Sequence, residues 1–166
     1  MILQSYLFLG YPVALNAFGL WREISERQAG PPASDPPGSW EDRGERVCQV
    51  VYGGQYGRLR ENVRALHPDM ERWMVVEGYG KVLGRPGLDL ATRELCIVAL
   101  LAVLGAPRQL YAHLRGALNA GASREEVDLA LREGSAFQDE VGRREAGRVW
   151  EQVLARGQGR EPGPPG

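Results

Sequence analysis

Apolar residues recur at helical intervals through most of the chain, beginning with its opening segment. Between Leu3 and Ile24 their spacing is close to three or four residues, which predicts a helix, while Gly10 and Pro12 predict a kink or a break within it. The first 21 residues carry no charge. We therefore expect residues 1–29 to form a helical segment that packs on the core and buries much of itself.

Glycine and proline divide the rest of the chain. Residues 30–44 lack apolar periodicity and are predicted to be a linker, and the Gly/Pro-rich residues 156–166 are predicted to be a flexible tail. Residues 45–155 form the predicted core domain, with helices expected at about 45–52, 58–66, 68–82, 90–104, 107–119 and 124–155. Because no strand pattern is found, the predicted fold class is an all-α helical bundle.

Composition excludes several classes of function. The 166 residues are enough for one compact domain, and 20 basic against 21 acidic side chains leave no basic field for nucleic acid. Two cysteines, Cys48 and Cys96, are too few for a disulfide framework and lack metal-ligand spacing, so we expect a cytoplasmic protein without a metal. The longest apolar run, 95–104, is about half of the roughly 20 residues that cross a bilayer. No membrane partner is expected.

Two predicted helices, 90–104 and 107–119, carry one chemically suggestive pair of residues. Glu94 shares its helix face with Ile97, Val98 and Leu101, so its carboxylate is expected to point inward, where it needs a partner. His113 on the facing helix is the candidate partner, since an acid and an imidazole can exchange protons near neutral pH. We therefore predict Glu94 and His113 as catalytic residues.

Spacing alone leaves alternatives open for this pair. In strictly antiparallel helices the two residues would be offset by roughly 7 Å at 1.5 Å per residue. Crossed helices, a bridging water or a neighbouring subunit would have to close that gap. Glu94 could also be a core carboxylate satisfied by arginine or backbone groups, with His113 a packed core histidine. Arg93 and Arg115 are candidate substrate-binding residues because arginine pairs with carboxylates, although each could be a solvated charge.

Three stretches of this region resemble the carboxymuconolactone decarboxylase family. They are residues 78–89 with an arginine-proline turn, residues 92–95 around Glu94, and residues 113–121, which begin with His113. The resemblance covers about residues 58–131. It implies a helical bundle of the alkylhydroperoxidase D-like type, a homo-oligomer of three or six subunits, a small-molecule substrate and no cofactor. It also implies that Glu94 and His113 occupy positions that the family uses for proton transfer.

The chain departs from that family at two positions beside the turn. The peroxidase branch carries a Cys-x-x-Cys pair four residues before its histidine, and here those positions hold Ala106 and Gln109. Loss of the thiol nucleophile disfavours peroxiredoxin-type activity, and peroxide reduction by Cys96 alone would need that thiol to be readily reactive. The decarboxylase branch is expected to have a glutamate where this chain has Gln109. We include Gln109 among the substrate-binding candidates.

The opening segment departs from the family's order. Residues 3–18 resemble helices that in this family follow the S-x-x-E helix start, which here is Ser123 to Glu126, yet they precede it. We therefore expect a permuted or partly duplicated arrangement of the bundle, unless the natural chain starts further upstream.

Two functions follow from these observations. The first is a cofactor-free decarboxylase or lactone-processing enzyme for a small carboxylated metabolite. In it His113 moves the proton, Glu94 orients His113, and Arg115 or Arg93 holds a substrate carboxylate. The second is a non-catalytic family member that keeps the scaffold for oligomerisation or ligand binding. A solvent-connected pocket at His113 would favour the first, and close packing would favour the second.

Overall fold

The computed structural model describes residues 1–27, 30 and 35–158, and every secondary-structure element in this part of the chain is helical. The elements are short 3-10 helices at Ile2–Ser5, Pro37–Ser39 and Gly53–Gln55, a π-helix at Met74–Leu83, and α1 (Tyr6–Ile24), α2 (Trp40–Tyr52), α3 (Tyr56–Leu66), α4 (Pro68–Trp73), α5 (Leu90–Leu104), α6 (Pro107–Asn119), α7 (Arg124–Ser135) and α8 (Glu140–Gln158). The predicted all-α fold class is confirmed for these residues. Residues 28–29 of the predicted opening segment, 31–34 of the predicted linker and 159–166 of the predicted tail lie outside them.

The chain divides into two compact units, a first unit of residues 1–93 and a second unit of residues 94–166. In the first unit, α2 packs against the π-helix through two glycines. A Cβ atom on Gly80 would lie 2.0 Å from the Trp40 carbonyl oxygen, and one on Gly44 would lie 2.1 Å from the Val75 carbonyl oxygen. The two backbones therefore approach so closely that only glycine fits at either position.

Helix α2 begins at Trp40, whereas the sequence pattern predicts a start near Glu45. The helix start is stabilised by contacts that are distant in sequence. Arg43 pairs with Asp35 through two hydrogen bonds of 2.8 Å, and its Nε donates to the Gly80 carbonyl oxygen at 2.7 Å. Because these partners lie outside the helix, the Gly/Pro-rich local sequence gives no sign of them.

Helices α3 and α4 are joined by a buried carboxylate. Glu71 of α4 is 5% exposed and accepts hydrogen bonds from Arg60 and Arg64 of α3. Burial acts to raise the pKa of Glu71, but the hydrogen bonds from the two arginines prevail, and the pKa is lowered. The carboxylate therefore stays charged and holds the two helices together.

The opening segment contains the predicted break. Gly10 adopts φ 73° and ψ 169°, a conformation outside the helical region, with Pro12 two residues later. The Tyr6 hydroxyl donates to Glu77 Oε1 at 3.1 Å, and burial together with the Glu77 carboxylate raises the pKa of Tyr6. Contrary to expectation, several large apolar side chains of this segment stay substantially exposed, namely Leu3, Tyr11, Val13, Leu15, Leu20 and Ile24.

The second unit contains the predicted hairpin of α5 and α6. Gly105 adopts φ 62° after the end of α5, as expected of a C-terminal glycine, and Pro107 begins α6. Ser123 and Glu126 form the predicted capping box at the start of α7. Gly134 of α7 lies against α5, since a Cβ there would be 2.4 Å from the Ala99 carbonyl oxygen. Within the described ranges, no helix is both long and apolar enough to cross a bilayer.

Candidate functional site

The second unit brings Glu94 of α5 and His113 of α6 into direct contact. Their Oε2 and Nδ1 atoms are 2.8 Å apart, and the residues are 0% and 6% exposed respectively. The contact forms within one chain, so neither a bridging water nor a neighbouring subunit is needed to close the axial offset expected from the sequence. The expected inward orientation of Glu94 and its pairing with His113 are therefore both observed.

The roles of the His113 ring nitrogens depend on the state of Glu94. An ionised Glu94 carboxylate only accepts hydrogen bonds, and with that partner His113 Nδ1–H is the donor to Glu94 Oε2. Nε2 is then the ring atom that gains or gives up a proton. The second oxygen of Glu94, Oε1, is buried and has no hydrogen-bond partner among the described residues. His113 is thus the one hydrogen-bond partner that the described part of the chain gives this buried carboxylate.

Apolar packing holds the two side chains in place. On α5, Ile97 and Val98 follow Glu94 by three and four residues and are fully buried. On α6, Leu114 and Ala117 are fully buried beside His113. An imidazole and a carboxylate that are fixed in this way lose little rotamer freedom when a ligand binds, which is what a proton-transfer site requires.

Arg93 has a different environment from the one expected of a substrate-binding residue. It is 1% exposed, and its Nη2 donates to the Arg85 carbonyl oxygen at 2.8 Å while Nη1 donates to Gln4 Oε1 at 3.3 Å. Gln4 in turn donates its Nε2 hydrogen to the Arg93 carbonyl oxygen at 3.1 Å. Several donors of the guanidinium are therefore used within the protein, and the substrate-binding role of Arg93 stays a prediction.

Gln4 was missed in the sequence pattern. It is 1% exposed and links the start of the chain to a residue 89 positions later. The available signal was a polar side chain inside an otherwise apolar, uncharged segment, which is an unusual place for glutamine unless it has a partner.

Among the described residues, Arg115 and Gln109 form no hydrogen bond or ion pair with Glu94 or His113. Arg115 is half-buried with its guanidinium 5.9 Å from the centre of the Tyr111 ring, and it lies two residues after His113, about 200° around the helix. Gln109 is exposed. Cys96 is partly exposed. Across the described ranges, no group of three or more His, Cys, Asp or Glu side chains is arranged to hold a metal ion.

These observations define a class of protein: an all-helical fold with a buried glutamate–histidine pair in an α-hairpin. The chain belongs to the carboxymuconolactone decarboxylase family, whose family model matches residues 68–150, half of the chain, and includes both Glu94 and His113.

A curated relative is the 4-carboxymuconolactone decarboxylase of Acinetobacter baylyi, which is 34% identical over 86 residues. The aligned region covers 51% of this chain and 64% of that protein, so the chain spans less than two thirds of the relative's length.

Proposed function

We propose that this protein is a cofactor-free decarboxylase or lactone-processing enzyme that acts on a small carboxylated metabolite. The observation that carries the proposal is the buried contact of 2.8 Å between His113 Nδ1 and Glu94 Oε2. Membership of the carboxymuconolactone decarboxylase family supports the same class of reaction. The curated relative is named as a decarboxylase of a carboxylated lactone, which supports the substrate class.

In the proposed reaction, His113 transfers the proton. The bond between the substrate carbon and its carboxylate breaks, carbon dioxide leaves, and the electron pair stays on the carbon. His113, protonated at Nε2, gives that proton to the carbon, and the negative charge of Glu94 stabilises the imidazolium before the transfer. An arginine that binds a second substrate carboxylate would orient the molecule. Arg115, the sequence candidate, lies against Tyr111 about 200° around α6 from His113, so one chain by itself does not bring it to the substrate.

Replacing His113 with asparagine is expected to reduce turnover by about 100-fold or more, because general acid catalysis typically contributes that much. The asparagine amide can still donate to Glu94, so the fold should be retained. Turnover is measured as carbon dioxide release or lactone loss across a panel of carboxylated lactones. His67→Asn is the matched control, since His67 is exposed at the start of α4 and asparagine also caps a helix. Equal turnover in wild type and His113→Asn would refute the proposal.

A second candidate function is favoured by the burial of His113. A ring that is 6% exposed and packed beside Leu114 fits a structural pair in a non-catalytic, ligand-binding member of the family. This function predicts that the same lactones bind without being consumed. Ligand binding followed by calorimetry, with the products checked by mass spectrometry, distinguishes the two.

The proposed enzyme is a homo-oligomer of three or six subunits. Support comes from the exposed apolar side chains of the opening segment, among which Leu15 is 64% and Ile24 84% exposed. A soluble chain rarely leaves such a group of side chains in water.

Light scattering after gel filtration is expected to give three or six times the chain mass of 18.3 kDa. The double variant Leu15→Asp with Ile24→Asp should shift this mass to that of a single chain, because a charge placed at a buried contact is strongly unfavourable. Leu66→Asp, at an equally exposed leucine of α3, should leave the mass unchanged. A wild-type mass of 18.3 kDa would refute the assembly.

A further inference from the structure

A cleft of about 310 Å³ lies between α6 and α8 in the second unit. Its walls are formed by Pro107, Arg108, Tyr111, Arg148, Val149 and Gln152. Tyr111 is two residues before His113, a rotation of about 200° around α6, and His113 contacts α5. The cleft is therefore on a different face of α6 from the glutamate–histidine pair.

Arginine dominates the charge of this cleft. Arg148 is paired with Glu145 through hydrogen bonds of 2.8 and 2.6 Å, yet its side chain remains 53% exposed. Arg108 forms no ion pair within the part of the chain that the structure describes. The cleft thus combines one neutralised and one unneutralised guanidinium, and a negatively charged ligand would be attracted to it.

Tyr111 adds both an apolar surface and a hydrogen-bond donor. The guanidinium groups of Arg115 and Arg156 lie 5.9 and 5.7 Å from the centre of its ring, which fixes the ring. Arg156 Nη1 donates to the Tyr111 hydroxyl oxygen at 3.1 Å. Because that oxygen accepts a hydrogen bond, the hydroxyl can donate its own hydrogen to a ligand, and the adjacent arginine makes it a better donor.

The apolar part of the lining selects among anions. Exposed Pro107 and the partly exposed ring of Tyr111 offer hydrocarbon and aromatic surface beside Arg108, whereas Val149 is only 2% exposed. A small inorganic anion would leave this surface uncovered, whereas a planar carboxylate would cover it and place its charge on the guanidinium.

We propose that the cleft between α6 and α8 binds a small aromatic or unsaturated carboxylate, with Arg108 and the Tyr111 hydroxyl contacting the carboxylate group. Pro107 and the ring of Tyr111 contact the hydrocarbon part of the ligand. The site is separate from the glutamate–histidine pair, so it does not depend on the proposed decarboxylase activity.

Titration calorimetry with benzoate tests the proposal. Saturable binding is expected for the wild type. Arg108→Gln is expected to weaken it by about fivefold or more, because a charge-assisted hydrogen bond is lost at an exposed site. Arg124→Gln, at an exposed arginine of α7 outside the cleft, is the matched control and should bind benzoate as the wild type does. His113→Asn should also bind it normally, which separates this cleft from the proposed catalytic pair.

Two further ligands test the chemistry of recognition. Benzamide has the shape of benzoate without its charge, and inorganic phosphate has charge without an apolar part, so both should bind at least about fivefold more weakly than benzoate. The proposal is overturned if benzoate shows no saturable binding, if Arg108→Gln binds it as tightly as the wild type, or if His113→Asn abolishes binding. Equal binding of benzamide or phosphate would likewise overturn it.

Discussion

Replacing Gly80 with alanine is expected to lower the free energy of unfolding by about 3 kcal/mol or more, because overpacking a close contact costs about that much. The added Cβ would lie 2.0 Å from the Trp40 carbonyl oxygen and 2.7 Å from the Trp40 carbonyl carbon. Both are backbone atoms, so no side chain can rotate to relieve the clash and α2 itself must move. Urea denaturation at a fixed protein concentration measures the loss.

Gly78→Ala is the matched control for this prediction. Gly78 belongs to the same π-helix, but a Cβ there would meet nothing within 4 Å. Alanine is favoured over glycine in helices by up to about 1 kcal/mol, so Gly78→Ala should be as stable as the wild type or slightly more stable. If Gly80→Ala unfolded at the same urea concentration as Gly78→Ala, the close packing of α2 on the π-helix would be wrong.

The helices could be predicted from the sequence because their determinants are local. Gly105, Pro107 and the Ser123–Glu126 box mark helix ends by their own backbone preferences, and each ends or begins a helix in the structure. The start of α2 could not be predicted in the same way. It depends on Arg43 contacting Gly80, 37 positions later, and periodicity within a short window contains no information about such a partner.

The candidate site was predictable in part. Helical spacing correctly placed Glu94 on a buried face. Counting residues along two parallel helix axes predicted an axial offset between Glu94 and His113, because such a count ignores the angle at which helices cross. The environment of Arg93 was not predictable at all. Its guanidinium is held by Gln4 and by carbonyl oxygens of the turn at 85–88, and a turn's carbonyl directions cannot be obtained from residue types.

The opening segment shows a further limit of sequence patterns. Periodicity identifies apolar residues such as Leu15 and Ile24 as candidates for burial, yet it does not identify what covers them. Within one chain both are mostly exposed. Burial of these side chains would therefore have to come from contacts beyond the described residues of a single chain, which is why the mass measurement and the aspartate variants test the segment directly.

Replacing His113 with leucine is expected to lower the free energy of unfolding by about 3–5 kcal/mol, the usual cost of removing one partner from a buried pair. Glu94 is fully buried, and its Oε1 has no hydrogen-bond partner among the described residues, so His113 supplies the hydrogen bond that compensates for burial of the carboxylate. Urea denaturation at constant protein concentration measures the effect.

Adding Glu94→Leu to the His113→Leu variant should recover most of that loss, because two leucines of similar volume leave no buried charge to compensate. A double variant no more stable than the single one would show that the cost came from repacking around His113 and not from the carboxylate.

Comparing His113→Leu with His113→Asn also separates two roles of the same residue. His113→Leu removes both the proton carrier and the partner of Glu94, whereas His113→Asn keeps a donor to Glu94 and removes only the proton carrier. If turnover falls in both variants while stability falls mainly in His113→Leu, the loss of catalysis cannot be ascribed to unfolding, and the pair acts in proton transfer as well as in the fold.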